Sequence, residues 1–281
     1  MDKNNIPPVS EQMFAPLTIN DADFTRLVSF VQTNYGINLS QKRQLITGRL
    51  SSAIKKKGYQ NFTEFVNHLL NTKEEAELTM LLDHLTTNYT FFMREKEHLD
   101  FFCKKIIPDL IARHQKDKVL SIWSAGCSTG EEPYNISMFL FDYLGNQARL
   151  WDTRLLATDI SSRALAKAQQ GTYELPDTIP SAWKQKYFTH NQGNVYTVSK
   201  QVRDNVIFRP FNLMSPIRFR RPFDVIFCRN VMIYFDQPTK DALVQRFYNA
   251  TVPGGYLLIS NSENLSQNTP YRRLAPATFQ K

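Results

Sequence analysis

Val119-Leu120-Ser121-Ile122-Trp123-Ser124-Ala125-Gly126-Cys127-Ser128-Thr129-Gly130-Glu131-Glu132-Pro133-Tyr134 is the stretch from which the fold can be read. The apolar run over 119–123 has the length of a buried strand. It breaks at a turn with two glycines, which let backbone approach a ligand closely. A helical pattern then runs from Glu131 to about Leu144. The unit recurs downstream. Residues 155–158 form a second run, ending in Asp159 and followed by a helix to Gln170. Residues 223–228 form a third, followed by 231–235 and a helix over 239–250; residues 255–260 form a fourth. Short strands alternating with helices predict an α/β fold, a parallel sheet with helices on both faces. Such sheets bind ligands outside the carboxyl ends of their strands, where the strand order reverses.

The turn at 124–132 narrows the ligand. It lacks the G-x-G-x-x-G dinucleotide pattern and the Gly-Lys-Ser/Thr of a phosphate loop. Glu131 and Glu132 directly after it would repel a phosphate and suit a cation. S-adenosylmethionine carries an ammonium and a sulfonium and no phosphate. Asp159, at the end of the second strand, suits a ribose diol; its alternative is to cap the next helix, before Ser161 and Ser162. The turn is also G-x-S-x-G, which would make Ser128 the nucleophile of a serine hydrolase. That reading needs a late histidine and several strands before the turn. The only later histidine is His190, and one strand precedes the turn.

The whole chain has 281 residues, 42% of them apolar, enough for a sizeable core and one large or two modest domains. No apolar run approaches the ~18–20 residues of a membrane span, so direct membrane insertion is not expected. Three scattered cysteines, Cys103, Cys127 and Cys228, frame no disulfide scaffold and have no metal-site spacing; a reduced cytoplasm fits them, and Cys127 and Cys228 read as small buried hydrophobes. Residues 1–17 are polar and proline-bearing, read as a flexible tail rather than a secretory leader. Residues 18–93 carry four helical patterns. Asn20 is a cap before Phe24, Leu27, Val28 and Val31; a helix over 40–57 closes at Gly58; Asn61 and Glu64 start a third; Leu78, Leu81, Leu82 and Leu85 mark a fourth. A further helix is expected over 99–113. The second domain is expected to span 94–281, with runs at 195–198 and 206–209 assigned to a small antiparallel insertion over 187–210.

Several motifs converge on one family. Thr86-Thr87-Asn88-Tyr89-Thr90-Phe91-Phe92-Met93-Arg94 resembles the TTN-x-T-x-FFR segment of the chemotaxis receptor methyltransferases, the CheR family. The stretch from Trp123 to Tyr134 is similar to that family's S-adenosylmethionine motif, Ala157-Thr158-Asp159-Ile160 to its acidic strand end, and Phe227-Cys228-Arg229-Asn230-Val231-Met232-Ile233-Tyr234-Phe235 to its fourth-strand segment. The resemblance runs from about residue 18 to the end. It implies a class I S-adenosylmethionine-dependent methyltransferase domain behind a helical receptor-recognition domain. It also implies a protein-glutamate O-methyltransferase that esterifies glutamates of a chemoreceptor's cytoplasmic helical bundle and releases S-adenosylhomocysteine. Asn88, Thr90 and Arg94 would line the cofactor site. Glu131 or Glu132 would hold the methionyl ammonium, Asp159 the ribose hydroxyls, and Asn212 and Leu213 the adenine. Arg229 and Asn230 would close the site beneath the sulfonium. Arg94 would orient the incoming carboxylate, with Tyr234 nearby.

The net charge of +8 asks for an acidic partner. Residues 1–93 hold nine basic and nine acidic residues, but Lys42, Arg43, Arg49, Lys55, Lys56 and Lys57 crowd onto one helix. Lys42, Arg49 and Lys56 are seven apart and share a stripe, which the resemblance assigns to receptor docking. A nucleic-acid partner is not expected, because no recognition module is visible and Arg229-Asn230-Val231-Met232 stands where a base methyltransferase would carry Asn/Asp-Pro-Pro-aromatic. A non-catalytic adaptor with the same fold is the other alternative. Some family members clasp a receptor tail peptide with a glycine-rich hairpin in the insertion; residues 189–194 are short and hold one glycine, so a tether-independent enzyme is expected. A monomer is expected.

Overall fold

The structure, a computed structural model, describes residues 17–281. The tail expected over 1–17 lies outside them, apart from Leu17. The chain divides into two compact units, Met1–Thr87 and Asn88–Lys281. Residues 88–93, assigned from sequence to the helical domain, fall in the second unit.

In the described part of the first unit, four helices surround one core: α1 (Asp21–Tyr35), α2 (Arg43–Lys56), α3 (Phe62–Thr72) and α4 (Glu75–Leu85). Asn20 caps α1 by accepting the Asp23 N–H at 2.8 Å, and Asn61 caps α3 by accepting that of Glu64 at 2.9 Å. Each satisfies a donor that the first helical turn leaves unpaired. The periodic residues Leu27, Val31, Ile46, Leu50, Phe65 and Leu69 are fully buried. The second helix begins later than expected, at Arg43, because Lys42 has left helical geometry (φ −118°, ψ 34°).

The second unit opens with α5 (Lys96–Phe101) and α6 (Ile107–Arg113), joined by a π-helical turn at Phe102–Ile106; the expected single helix is thus interrupted. There follow β1 (Ile122–Ala125), α7 (Glu131–Leu144), β2 (Leu155–Asp159), α8 (Ser162–Gln170), β3 (Thr172–Glu174), α9 (Ser181–Tyr187), β4 (Phe188–Gln192), β5 (Val195–Val198), α10 (Lys200–Asp204), β6 (Val206–Pro210), β7 (Phe223–Cys228), α11 (Gln237–Ala250), β8 (Thr251–Ile259), β9 (Arg272–Ala275) and β10 (Thr278–Gln280). Seven strands form one sheet in the order β6-β2-β1-β7-β8-β10-β9. The first five are parallel, and β10 inserts antiparallel between β8 and β9. This is the expected Rossmann-like, class I methyltransferase arrangement. Its central strands are buried on both faces, β1 and β7 without an exposed residue, as parallel strands covered by helices must be. Trp123 anchors the centre: its Nε1 donates to Thr158 Oγ1 at 2.9 Å, and its ring meets those of Phe211, Phe219, Phe223 and Phe247.

One assignment is corrected. Residues 206–209 do not belong to the antiparallel insertion. They form β6, which pairs in parallel with β2 from Leu155↔Val206 to Asp159↔Pro210 at the edge of the main sheet. The small sheet is completed instead by β3, in the order β3-β5-β4. An edge strand of the main sheet has one wet face, so its alternation of buried and exposed residues mimics that of a hairpin.

Candidate active site

The order reverses between β1 and β7, and the ends of β1, β2 and β7 meet there. The loop after β1 is pinned to β2: the N–H groups of Gly126 and Cys127 both donate to the Thr158 carbonyl at 2.8 Å. Gly126 has φ +83°, and a Cβ on it would stand 2.3 Å from Val231 Cγ2; only glycine fits. Ser128, also left-handed at φ +51°, donates its N–H to Asp159 Oδ2 at 2.7 Å and its hydroxyl to the Asn88 carbonyl at 2.9 Å. The hydroxyl proton goes to a backbone carbonyl rather than a histidine, so the hydrolase reading of Ser128 lacks its base.

Asp159 is buried and bridges two loops, since its Oδ1 accepts the Ser161 N–H at 2.9 Å. Capping of α8 falls to Ser161, whose Oγ accepts from Ala164 N at 3.1 Å and from Asn88 Nδ2 at 3.2 Å. The segment carrying Asn88, Thr90 and Arg94 is thereby fastened to the loop after β1. Thr90 and Glu131 line one cleft of about 460 Å³ together with Phe91, Phe92, Lys167 and Tyr173. Arg94 is half-buried, donates to the Tyr89 carbonyl at 2.7 Å, and lies 5.8 Å from the ring centres of both Tyr89 and Phe91. Both rings are exposed, Tyr89 at 71%.

The two adjacent glutamates have different partners. Glu132 accepts from Ser124 Oγ at 2.8 Å and pairs with Arg229 Nη1 at 3.1 Å. Glu131 is buried and accepts from Thr129 Oγ1 at 2.7 Å. Burial pushes its carboxyl above the usual range, against the opposing effect of that hydrogen bond and of Lys167. Unlike Glu132, Glu131 has no guanidinium partner among the described residues, and a nearby cation would favour its charged form.

Arg229 and Asn230 sit at the end of β7 within a polar cluster that the sequence did not indicate. Arg229 is buried and donates to Glu132, to Glu95 Oε2 at 3.3 Å and to the Arg94 carbonyl at 2.5 Å. Asn230, left-handed at φ +60°, donates to Ser260 Oγ at 2.7 Å and to Glu95 Oε1 at 3.3 Å. Glu263 accepts the N–H groups of Ile233 and Ser260 and so holds the turn Met232–Tyr234, which carries the half-buried Tyr234. Glu95, Ser260 and Glu263 belong to none of the motifs in the sequence; the one local signal is that Glu95 directly follows Arg94. On the other flank, the Phe211 N–H donates to the Asp159 carbonyl at 3.0 Å, bringing Asn212 and the buried Leu213 to the end of β2. Asn212 Oδ1 accepts from Met214 N, and the Leu213 carbonyl from Arg246. Cys127 and Cys228 are buried, and burial raises both thiols well above their ordinary range, which leaves them unreactive.

Of the basic stripe in the first unit, Lys42 and Lys56 are exposed and Arg49 is half-buried. The Arg49 guanidinium is committed within its own domain. It donates to the carbonyls of Leu85 and Thr86 at 3.2 Å and to Thr87 Oγ1, capping the C-terminus of α4.

Known proteins match along nearly the full length. Residues 22–86 match the CheR methyltransferase all-alpha domain, and residues 88–280 the CheR methyltransferase SAM binding domain. A chemotaxis protein methyltransferase of Borreliella burgdorferi is 40% identical over 271 residues, covering 94% of this chain and 96% of that protein. The chemotaxis protein methyltransferase of Escherichia coli K12 is 36% identical over 265 residues, covering 91% and 88%. With both domain models matched in order, and with a loop of acidic residues and glycines at the switch point of the second, the chain belongs to the CheR methyltransferase family.

Proposed function

We propose that the chain is a cytoplasmic, monomeric protein-glutamate O-methyltransferase that uses S-adenosylmethionine to esterify glutamates on the cytoplasmic helical bundle of a chemoreceptor. The observation that carries this is the fastening of the Arg94 segment to the glycine loop, through Ser128 Oγ and the Asn88 carbonyl at 2.9 Å. It fastens the segment that carries Arg94 to a loop flanked by carboxylates.

The donor set fits S-adenosylmethionine. Carboxylates at 131, 132 and 159 surround a loop with no cationic side chain, a set that suits an ammonium, a sulfonium and a diol and repels phosphate. When bound, the cofactor supplies an electrophilic methyl group on a sulfonium. Asp159 would take the ribose hydroxyls and Glu131, the glutamate without a guanidinium, the ammonium; Asn88 and Thr90 would line the site and Asn212 and Leu213 would flank the adenine. Arg229, Asn230 and Tyr234 would close it. A glutamate carboxylate, with an ordinary pKa of about 4.3, is ionised near neutrality, so no general base is required. Arg94 would align that carboxylate with a bidentate fork, held by the Tyr89 carbonyl and flanked by two rings. Orientation and exclusion of water then supply the rate.

Among the described residues, no helix is long and apolar enough to cross a membrane. Lys42 and Lys56 offer the receptor-facing charge, with Arg49 shaping the surface through α4. The β4–β5 hairpin turns at Gly193-Asn194, tied by His190 Nε2 to the Gly193 carbonyl at 2.8 Å, a short closed turn that favours tether-independent action. The test is incubation with methyl-labelled S-adenosylmethionine and receptor cytoplasmic fragments. Base-labile label on glutamate is expected; base-stable label, or none, overturns the reading.

A further inference from the structure

Glu95 follows Arg94 and starts α5 in left-handed geometry (φ 51°, ψ 61°), as does Met93 before Arg94 (φ 62°). Two non-glycine residues on either side of Arg94 are thus held where side chains seldom go. Such backbone persists only when its surroundings over-determine it. The side chain of Glu95 supplies that constraint. Oε1 accepts from Ser260 Oγ at 2.9 Å and from Asn230 Nδ2 at 3.3 Å. Oε2 lies 3.3 Å from Arg229 Nη2, 3.4 Å from Arg229 Nε and 3.1 Å from His98 Nδ1. Burial alone would raise this carboxyl, but the His98 and Ser260 contacts and the Arg229 charge hold it far below the usual carboxylate range. Arg229 closes the circuit by donating to the Arg94 carbonyl.

We propose that Glu95 is a positioning residue of the methyl transfer: its carboxylate ties the turn that aims Arg94 to the ends of β7 and β8. The proposal rests on the reading of Arg94 given above. Glu95 is assigned to neither partner of the reaction; Arg229 and Asn230, which it also contacts, keep Glu132 and Ser260 as partners without it, so its effect falls on Arg94. Its removal therefore lowers turnover and leaves cofactor affinity in place. More telling, its effect vanishes once Arg94 is gone.

A double-mutant cycle tests this in the full chain, with methyl-ester formation on receptor fragments and calorimetry of S-adenosylhomocysteine as readouts. Glu95→Gln is expected to cut kcat about tenfold with the dissociation constant held within about threefold, and Arg94→Ala about a hundredfold. The double variant should be no slower than Arg94→Ala alone, because groups acting as a unit are non-additive. Multiplicative losses, or an unchanged kcat in Glu95→Gln, overturn the proposal. A general folding defect is distinguished by loss of S-adenosylhomocysteine binding in step with kcat, which also overturns it. A wild-type chain that forms no ester fails the reading of function itself and takes the proposal with it.

Discussion

The main-chain N–H of Ser128 donates to Asp159 Oδ2 at 2.7 Å, so the carboxylate ending β2 is bonded to the glycine loop. Its other oxygen holds the Ser161 N–H. Asp159→Asn keeps the size but turns one acceptor into a donor facing an N–H. Charge-assisted hydrogen bonds contribute about 1.5–3 kcal/mol, so adenosylhomocysteine affinity should fall about 10–100-fold. Calorimetry with the variant checks this; an affinity within twofold of wild type would remove Asp159 from the cofactor site.

Arg94 donates to the Tyr89 carbonyl and lies beside two exposed rings. Arg94→Lys keeps the charge but loses the planar fork. Methyl transfer should drop by at least about tenfold while adenosylhomocysteine binding stays within about threefold. Steady-state kinetics on a receptor fragment decide the matter, and a near-wild-type kcat would show that the fork is not what aligns the substrate.

Glu131 and Glu132 separate by partner. Glu131→Gln removes a buried carboxylate that lacks a guanidinium and should weaken adenosylhomocysteine binding about tenfold at little cost in melting temperature. Glu132→Gln weakens one of the charge-assisted bonds to buried Arg229, which keeps Glu95, and should destabilise the fold by about 1.5–3 kcal/mol. Differential scanning calorimetry with and without ligand distinguishes the two; the reverse pattern would exchange their roles.

Arg49 and its stripe neighbours should also part company. Arg49→Ala uncaps α4 and should destabilise the chain by about 1–2 kcal/mol. The double variant Lys42→Glu, Lys56→Glu should keep its melting temperature and cofactor affinity and lose receptor methylation, more so at low salt. Methylation unaffected by both reversals would place receptor docking elsewhere.

His114 sets a pH dependence away from the site. Its Nε2 lies 2.9 Å from Asp224 Oδ1 and its Nδ1 3.0 Å from Asp117 Oδ1. Burial opposes the charged ring, but the Asp224 and Asp117 contacts outweigh it and raise its pKa above the ordinary 6.5. A group whose folded pKa is raised contributes fully below its unfolded value and loses that contribution as pH rises through the folded one. Melting temperature should therefore fall on the alkaline side of pH 6.5 by roughly 2 °C more in wild type than in His114→Gln, a figure kept small by solvent screening. Parallel curves for the two proteins would assign the slope to other groups.

The local signals fixed a good deal. Periodicity and caps at Asn20 and Asn61 marked the helices, because a helix face and its first turn are written within a few residues. The strand, glycine turn and acidic helix start at 119–134, with their recurrence downstream, pointed to the α/β fold and a cationic ligand, because the change of pattern from strand to helix and the charge at Glu131 and Glu132 are written in the segment. The need for glycine at 126 is instead set by Val231 after β7. What needed the tertiary structure was every question of partner. Residues 206–210 alternate in burial as a hairpin strand would, and only pairing with β2 makes them the parallel edge strand. Arg49 reads as one of six helical cations until the end of α4 is folded against it. Glu131 and Glu132 are indistinguishable in sequence and differ because β7 sets Arg229 beside one of them. Glu95 gathers Ser260, Arg229 and Asn230 from more than 130 positions away; spacing along the chain holds no record of such contacts, which exist only once the strand ends are brought together.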